Sequence, residues 1–309
     1  MLYSSVSSGR RVLWILLLGL LGPICGLKAQ QSQAAKADSL PDTRKITLAA
    51  AGLGLGYAAG LYVLSETWYS QSERTRFHFF NDNRQWQQLD KAGHLWGAFH
   101  EGRLGIEAFR AARMPEKKAI WLGGLLGFVL QSPIEGLDGF AAGYGASAGD
   151  LGANALGALA LITQELAWGE VRLLPKFSFH QTRWAALRPR VLGSGLHEEV
   201  LKDYNGQTYW LAADMASWLP ASSRYPKWLN LALGYGADNM VFGSPEANHQ
   251  AGFHPYRQYY LALDFSFRHI KTRHKILKTA FWVLDMVHLP APAVEYNRRE
   301  GLRLHPIYF

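Results

Sequence analysis

Residues 259–267, with the sequence Tyr-Tyr-Leu-Ala-Leu-Asp-Phe-Ser-Phe, alternate large apolar side chains with small or polar ones. A period of two residues places the large apolar side chains on one face of a β-strand. Residues 229–235 alternate in the same way, residues 208–215 follow an Asn-Gly turn signal, and residues 302–309 end on an aromatic side chain. Together these stretches predict a β-rich region over residues 171–309.

The number of candidate strands limits the kind of sheet that this region forms. We count about five or six, whereas closed membrane barrels begin at about eight strands. An aromatic last residue is typical of outer-membrane strand proteins, and aromatic side chains suit a membrane interface. We therefore expect a small sheet that packs on the N-terminal half or lies on a membrane.

Residues 45–168 do not alternate in this way, and their sequence predicts helices. Residues 46–64 are about 19 residues without a charge, enough to cross a bilayer, and glycines recur there every four residues at 52, 56 and 60. Further helices are predicted at residues 89–112, 119–131 and 151–168, and Pro133 is expected to break or kink the helix before it. The predicted fold class is α+β, with an N-terminal, small-residue-rich helical bundle before the β-rich region. We favour a membrane-associated bundle, and the alternative is a soluble four-helix core.

The N-terminus indicates an export signal. Arg10 and Arg11 precede the apolar residues 12–21, which are too few to span a bilayer well. We expect a signal peptide over residues 1–29 and a polar linker over residues 30–44. Lipid attachment at Cys25 is the second interpretation, although Ile24 is larger than the small residue that such a site requires. An uncleaved anchor is the third.

Composition and charge narrow the class of protein. Of 309 residues, 49% are hydrophobic and 18% charged, which excludes a disordered chain. The net charge of +8 fits anionic lipid or glycolipid headgroups, and the alternative is a scattered basic surface without a partner. An export signal makes nucleic acid an unsuitable partner. Cys25 is the only cysteine, so cleavage after it excludes disulfides, thiolate catalysis and cysteine metal sites.

Polar and ionisable residues cluster on the predicted helices. The candidate cluster comprises Asp90, Lys91, His94, Glu135, Asp138, Ser147, Asp150 and Asn154. Spacings of three and four residues place partners on one helical face, and such groups on apolar helices tend to face one another or a wet cavity. The cluster suits a divalent cation, bound by oxygen ligands and one imidazole. It also suits acid–base or hydrolytic chemistry on a lipid headgroup with His94 as the base, or a polar plug that fixes helix register.

Each part of this cluster also has a simpler interpretation. Ser147 and Asp150 form a capping-box pattern that satisfies amide groups at a helix start. Asp90 suits the helix macrodipole, and Asn154 suits a hydrogen bond to a neighbouring helix.

Two further polar residues lie outside the candidate cluster. His100 and Glu101 are expected on a solvated face of the second helix. The sequence contains no G-x-S-x-G or H-E-x-x-H motif, so no residue is assigned a catalytic role.

Three segments carry a family resemblance. They are Asp-Lys-Ala-Gly-His at 90–94, Glu-Gly-Leu-Asp-Gly at 135–139, and Ser-Ala-Gly-Asp-Leu-Gly-Ala-Asn-Ala-Leu-Gly at 147–157. They resemble a bacterial family of predicted periplasmic lipoproteins, the YfiM-like family, and more remotely VanZ-like membrane proteins. Residues 204–210 and 226–230 are similar to the tail of longer members from Bacteroidetes-type bacteria. The resemblance implies an exported cell-envelope protein, with no agreed reaction.

Three functional hypotheses follow for an envelope protein on the outer or inner membrane. The first is a non-catalytic component that binds a lipid, a cell-wall ligand or a partner protein through the cluster. The second is a hydrolase or transferase acting on a lipid-linked headgroup. The third is a structural outer-membrane module in which the aromatic strands matter and the cluster only holds helices together.

Overall fold

A computed structural model describes residues 43–69, 72–220 and 222–309. Within these residues, eight α-helices and one six-stranded antiparallel sheet form an α+β fold, which confirms the predicted fold class. The predicted signal peptide, Cys25 and residues 30–42 of the predicted linker lie outside the described residues.

Four long helices account for the predicted helical half. They are α1 (Thr43–Tyr69), α2 (Leu89–Ala111), α3 (Glu116–Gly139) and α4 (Ala148–Trp168). The helix over 119–131 is not broken at Pro133, because α3 continues through that residue. The Ser132 hydroxyl donates to the carbonyl oxygen of Phe128 at 2.7 Å, in the turn where proline supplies no N–H.

The length and composition of each helix indicate whether it could cross a bilayer. Among the described residues, α3 is the one helix that is long and apolar enough to cross a membrane. Residues 46–64 lie inside α1, so their helical state is confirmed and their crossing stays a prediction.

The described residues divide into two compact units. The helical unit contains the described residues up to Phe80, with Gly97–Ala167 and His274–Thr279. The sheet unit contains Asn81–Trp96, Trp168–Arg273 and Ala280–Phe309.

Glycines allow α2 and α3 to approach closely within the helical unit. A Cβ at Gly127 would lie 1.8 Å from the carbonyl oxygen of Ala98, and one at Gly123 would lie 2.3 Å from the amide nitrogen of Ile106. These distances exclude any larger residue, so two glycines four residues apart form the contact. At Gly60 in α1, in contrast, a Cβ would meet no described atom within 4 Å. The glycine repeat at 52, 56 and 60 therefore brings no described neighbouring helix close to α1 at Gly60.

Six strands follow one another through the sheet in chain order, each antiparallel to the next. They are β1 (Leu173–Phe179), β2 (Gln207–Ala213), β3 (Leu229–Asp238), β4 (Tyr256–Phe265), β5 (Ala291–Asn297) and β6 (Gly301–Tyr308). The four stretches predicted as strands coincide with β2, β3, β4 and β6. The alternation does not single out β1 and β5, whose runs contain Pro175 and Pro292.

Shorter helices lie between the strands. They are α5 (Pro189–Leu192), α6 (Leu196–Lys202), α7 (Pro245–Gln250) and α8 (Lys275–Leu284).

The sheet is strongly curled. In a flat sheet of six strands, β1 and β6 would lie about 24 Å apart. Instead, the ring of His180, directly after β1, lies 5.9 Å from the ring of Tyr308 in β6. The hydroxyl oxygens of Thr208 in β2 and Tyr308 are 3.1 Å apart. One face is therefore concave and surrounds its side chains, and the other face is convex.

Candidate functional site

The start of α2 carries three of the predicted site residues, in the sheet unit. Leu89 is fully buried and fixes this turn of the helix. The Lys91 ammonium lies 2.8 Å from a carboxylate oxygen of Asp90 and 2.6 Å from one of Asp82. His94 follows Asp90 by one helical turn. One lysine thus pairs with two carboxylates, and this part of the cluster is an ion-paired helix start.

Glu135, Ser147 and Asp150 come together in the helical unit. The Ser147 amide donates to Glu135 Oε2 at 2.8 Å, and the Asp150 amide donates to Ser147 Oγ at 3.1 Å. The second bond caps the N-terminus of α4, which confirms the capping role predicted for Ser147. Glu135, Asp150 and Asn154 are buried.

The divalent cation stays a prediction. In the helical unit, the carboxylates of Glu135 and Asp150 and the amide oxygen of Asn154 are of the ligand type that Mg²⁺ and Ca²⁺ prefer. Glu135 Oε2 already accepts the Ser147 amide bond, so this carboxylate also has a structural role.

Asp138 has a different partner from the other predicted residues. It accepts a hydrogen bond from the Tyr69 hydroxyl at 2.6 Å and so connects α1 with α3. The Tyr57 hydroxyl makes a second connection by donating to the carbonyl oxygen of Leu130 at 2.8 Å. Asp138 therefore acts in helix packing.

The solvated face predicted at His100 and Glu101 is wrong. His100 is buried, and Glu101 accepts a hydrogen bond from the Gln131 side chain at 2.9 Å. Burial raises the pKa of the Glu101 carboxyl to about 8, and the hydrogen bond from Gln131 offsets this only in part. The close approach of α2 and α3 at their glycines explains why this face lies inside the helical unit.

The concave face of the sheet buries a charged network. Lys176 Nζ donates to Asp264 Oδ2 at 2.9 Å and lies 3.6 Å from Asp285 Oδ1. His288 Nδ1 lies 3.0 Å from the other Asp264 oxygen, and its ring stacks on Trp210 with centroids 3.9 Å apart. The Lys176 side chain is 0% exposed. Buried charges are tolerated when they are paired in this way.

A second polar group occupies the same face around Glu295. Its carboxylate accepts hydrogen bonds from the side chains of Gln258 at 2.9 Å and Asn297 at 2.7 Å. His305 Nε2 lies 2.7 Å from the other oxygen. Glu295 is buried, so its charge is held by side chains of β4, β5 and β6.

The convex face carries apolar side chains that are exposed along one row, whereas Tyr209 and Tyr235 on the same face pack against the cluster around Leu89. One row in register crosses five strands through Leu211, Leu233, Leu261, Val294 and Leu304. Leu233 is 63% exposed and Leu304 is 81% exposed. In β4, alternate residues bury Tyr260, Ala262 and Asp264 and expose leucine, so the larger aliphatic side chains lie outside, unlike those of a sheet with an aliphatic core.

Aromatic side chains flank this leucine row on both sides. On one side, Tyr235, Tyr259 and Tyr296 are in register on neighbouring strands. On the other, the ring of Trp228 stacks on that of Phe265 with centroids 5.8 Å apart. Between Tyr259 and Phe265, β4 rises about 20 Å, compared with an apolar band of about 25 Å on sheets embedded in membranes.

The network around Lys176 and the leucine row are not identified from sequence. The alternation in residues 259–267 contains the signal, because Asp264 is in its polar phase and Leu261 is in its apolar phase. That alternation leaves open which phase is buried.

No model of a known protein family matches the chain, and no curated protein or solved structure matches it. The resemblance to YfiM-like and VanZ-like proteins therefore stays a prediction.

Proposed function

We propose that this chain is a cell-envelope membrane protein whose curled sheet contacts lipid hydrocarbon through its convex face. The observation that supports the proposal is the row of exposed leucines across β2–β6, opposite a concave face that buries ionisable groups of β1, β4 and β5 beside a small Trp/Ala/Tyr cluster. Soluble monomers rarely expose apolar patches larger than a few hundred Å². Here a row of exposed apolar side chains crosses five strands, and each Å² of it in water is unfavourable by about 25 cal/mol.

The other features of the sheet support the same environment. Polar groups next to hydrocarbon need partners inside the protein, and Lys176, Asp264 and Glu295 have them. Aromatic residues at both ends of an apolar band are typical of a membrane interface. The proposal corresponds to the structural membrane module among the sequence-based hypotheses. Ligand binding or catalysis by the Asp/His/Glu cluster stays a prediction.

Spin labels at single positions test this proposal. In a Cys25→Ser chain, labels are placed by Leu233→Cys and Leu261→Cys, and the matched control is Leu196→Cys. Leu196 is 57% exposed, similar to Leu233, but lies on α6, in the connection between β1 and β2 rather than on a strand. The proteins are reconstituted in phosphatidylcholine vesicles, and label relaxation by oxygen, which partitions into hydrocarbon, is compared with relaxation by a water-soluble nickel chelate.

The two environments give opposite results. Lipid contact predicts that labels at 233 and 261 relax with oxygen and are shielded from nickel, whereas the label at 196 relaxes with nickel. Equal nickel access at 196, 233 and 261, in variants that retain the near-ultraviolet circular dichroism of the parent, would overturn the proposal.

A further inference from the structure

A groove of about 630 Å³ lies at one end of the sheet unit, a volume typical of ligand sites. Its lining residues include Arg183, Trp184, His254, Tyr256, Arg298 and Arg299. These residues follow β1, precede or begin β4, or form the turn between β5 and β6. In an antiparallel meander those positions share one end of the sheet.

The groove concentrates positive charge. The Arg183 guanidinium lies 4.4 Å from the ring centroid of Trp184, and that of Arg299 lies 5.7 Å from the ring centroid of Tyr256. Stacking on a ring holds a guanidinium in place while its N–H donors stay available. Among the described residues, Arg183, Arg298 and Arg299 form no ion pair with a carboxylate.

The acidic groups near the groove are already bonded. Asp238, the last residue of β3, accepts hydrogen bonds from Trp184 Nε1 and from the Tyr256 hydroxyl, the latter at 2.9 Å. It therefore fixes the two aromatic walls. Glu300 pairs with Arg303. Neither carboxylate forms an ion pair with Arg183, Arg298 or Arg299, so these three guanidinium groups are left to bind an anion.

The groove lies just beyond the tyrosine row that flanks the convex face. Tyr256 precedes Tyr259 by three residues along β4, a rise of about 10 Å. Arg298 and Arg299 follow Tyr296 by two and three residues. If hydrocarbon covers the leucine row, aromatic rings occupy the interface and the arginines reach the headgroup layer.

We propose that this groove binds the phosphate group of an anionic lipid headgroup. Guanidinium groups suit a phosphate because two parallel N–H donors match two of its oxygens. This inference rests on the proposed membrane contact, which supplies the lipid. Free phosphate offers the same oxygens, so the two sources are separated by experiment.

Native mass spectrometry of the full chain in mild detergent provides the test. The probes are phosphatidic acid and phosphatidylcholine with identical acyl chains. The groove variant is Arg298→Gln with Arg299→Gln, and the control is Arg273→Gln with Lys275→Gln, which removes the same charge from exposed positions outside the groove.

We expect the wild type to retain phosphatidic acid about tenfold better than phosphatidylcholine, which corresponds to about 1.4 kcal/mol. The groove variant should lose this preference and the control should keep it. Equal preference in all three proteins, or equal loss in both variants, would overturn the proposal.

Inorganic phosphate is the second probe. Displacement of the lipid at equal concentrations of phosphate and lipid would overturn a headgroup as the occupant, and retention of the lipid supports it. The spin label at 233 separates the two proposals. A groove variant whose label still relaxes with oxygen leaves the membrane contact standing, whatever its lipid preference.

Discussion

Replacing Lys176 with methionine tests whether buried ion pairs hold the concave face together. Methionine keeps much of the side-chain length but removes the charge that lies 2.9 Å from Asp264 and 3.6 Å from Asp285. At an effective dielectric constant of about 20, each contact is a gross attraction of roughly 5 kcal/mol. Breaking a buried pair from one side has a net effect of about 3–5 kcal/mol. We expect Lys176→Met to lower the free energy of unfolding by that amount, a large part of a usual total of about 5–15 kcal/mol.

A double substitution separates charge from packing. Adding Asp264→Asn removes the carboxylate charge that Lys176→Met leaves without its lysine, and the amide oxygen still contacts His288. We expect the double variant to be about 1–2 kcal/mol more stable than Lys176→Met alone. Unfolding by urea in mild detergent, followed by near-ultraviolet circular dichroism, measures both values. Lys227→Met, at an exposed lysine, is the control and should stay within about 0.5 kcal/mol of the wild type. Strictly additive effects of the two substitutions would refute the ionic coupling.

Three other substitutions address the convex face, the helical unit and its buried carboxyl. Leu233→Lys should destabilise the protein in vesicles by about 2–4 kcal/mol, whereas a change within about 0.5 kcal/mol would place that face in water. Gly127→Ala should lower the melting temperature, while Gly136→Ala on the same helix, where a Cβ meets nothing within 4 Å, should raise stability by about 0.5–1 kcal/mol. Because the native pKa of the Glu101 carboxyl is raised to about 8, its protonated form favours the folded state. This contribution to the free energy of unfolding is complete below about pH 4.5 and is lost as pH rises through about 8. Glu101→Gln should therefore match the wild type near pH 4.5 and be more stable by up to about 5 kcal/mol near pH 9, as measured by thermal melts at the two pH values.

The elements with a strong period could be predicted from sequence. Residues 119–131 are almost continuously apolar, whereas residues 259–267 alternate large apolar side chains with small or polar ones. This difference distinguishes the helix α3 from the strand β4. Ser147, in its capping-box pattern, indicated the start of α4. Each of these signals is local, because it depends on residues within a few turns or on one strand.

The features that could not be predicted depend on contacts between groups that are distant in sequence. Lys176 meets Asp264 only because the sheet curls, and no pattern near either residue reports that contact. A period of two residues is also the same whichever face is buried, so the surrounding medium decides between the two faces. Glu101 was expected in solvent because its own helix is mixed in polarity, whereas the glycines of a neighbouring helix determine its burial.

The alternation along β3 and β4 has a consequence for how substitutions are tolerated. If the convex face contacts lipid as proposed, leucine, isoleucine, valine and phenylalanine at position 231, 233, 261 or 263 would be nearly interchangeable, because liquid acyl chains adapt to any apolar shape. The side chains at the intervening positions pack against fixed neighbours, where the loss of one hydrogen-bond donor or the addition of one methyl group lowers stability. Permissive and strict positions would then succeed each other residue by residue, and a library of variants at consecutive positions would show a tolerance profile with a period of two.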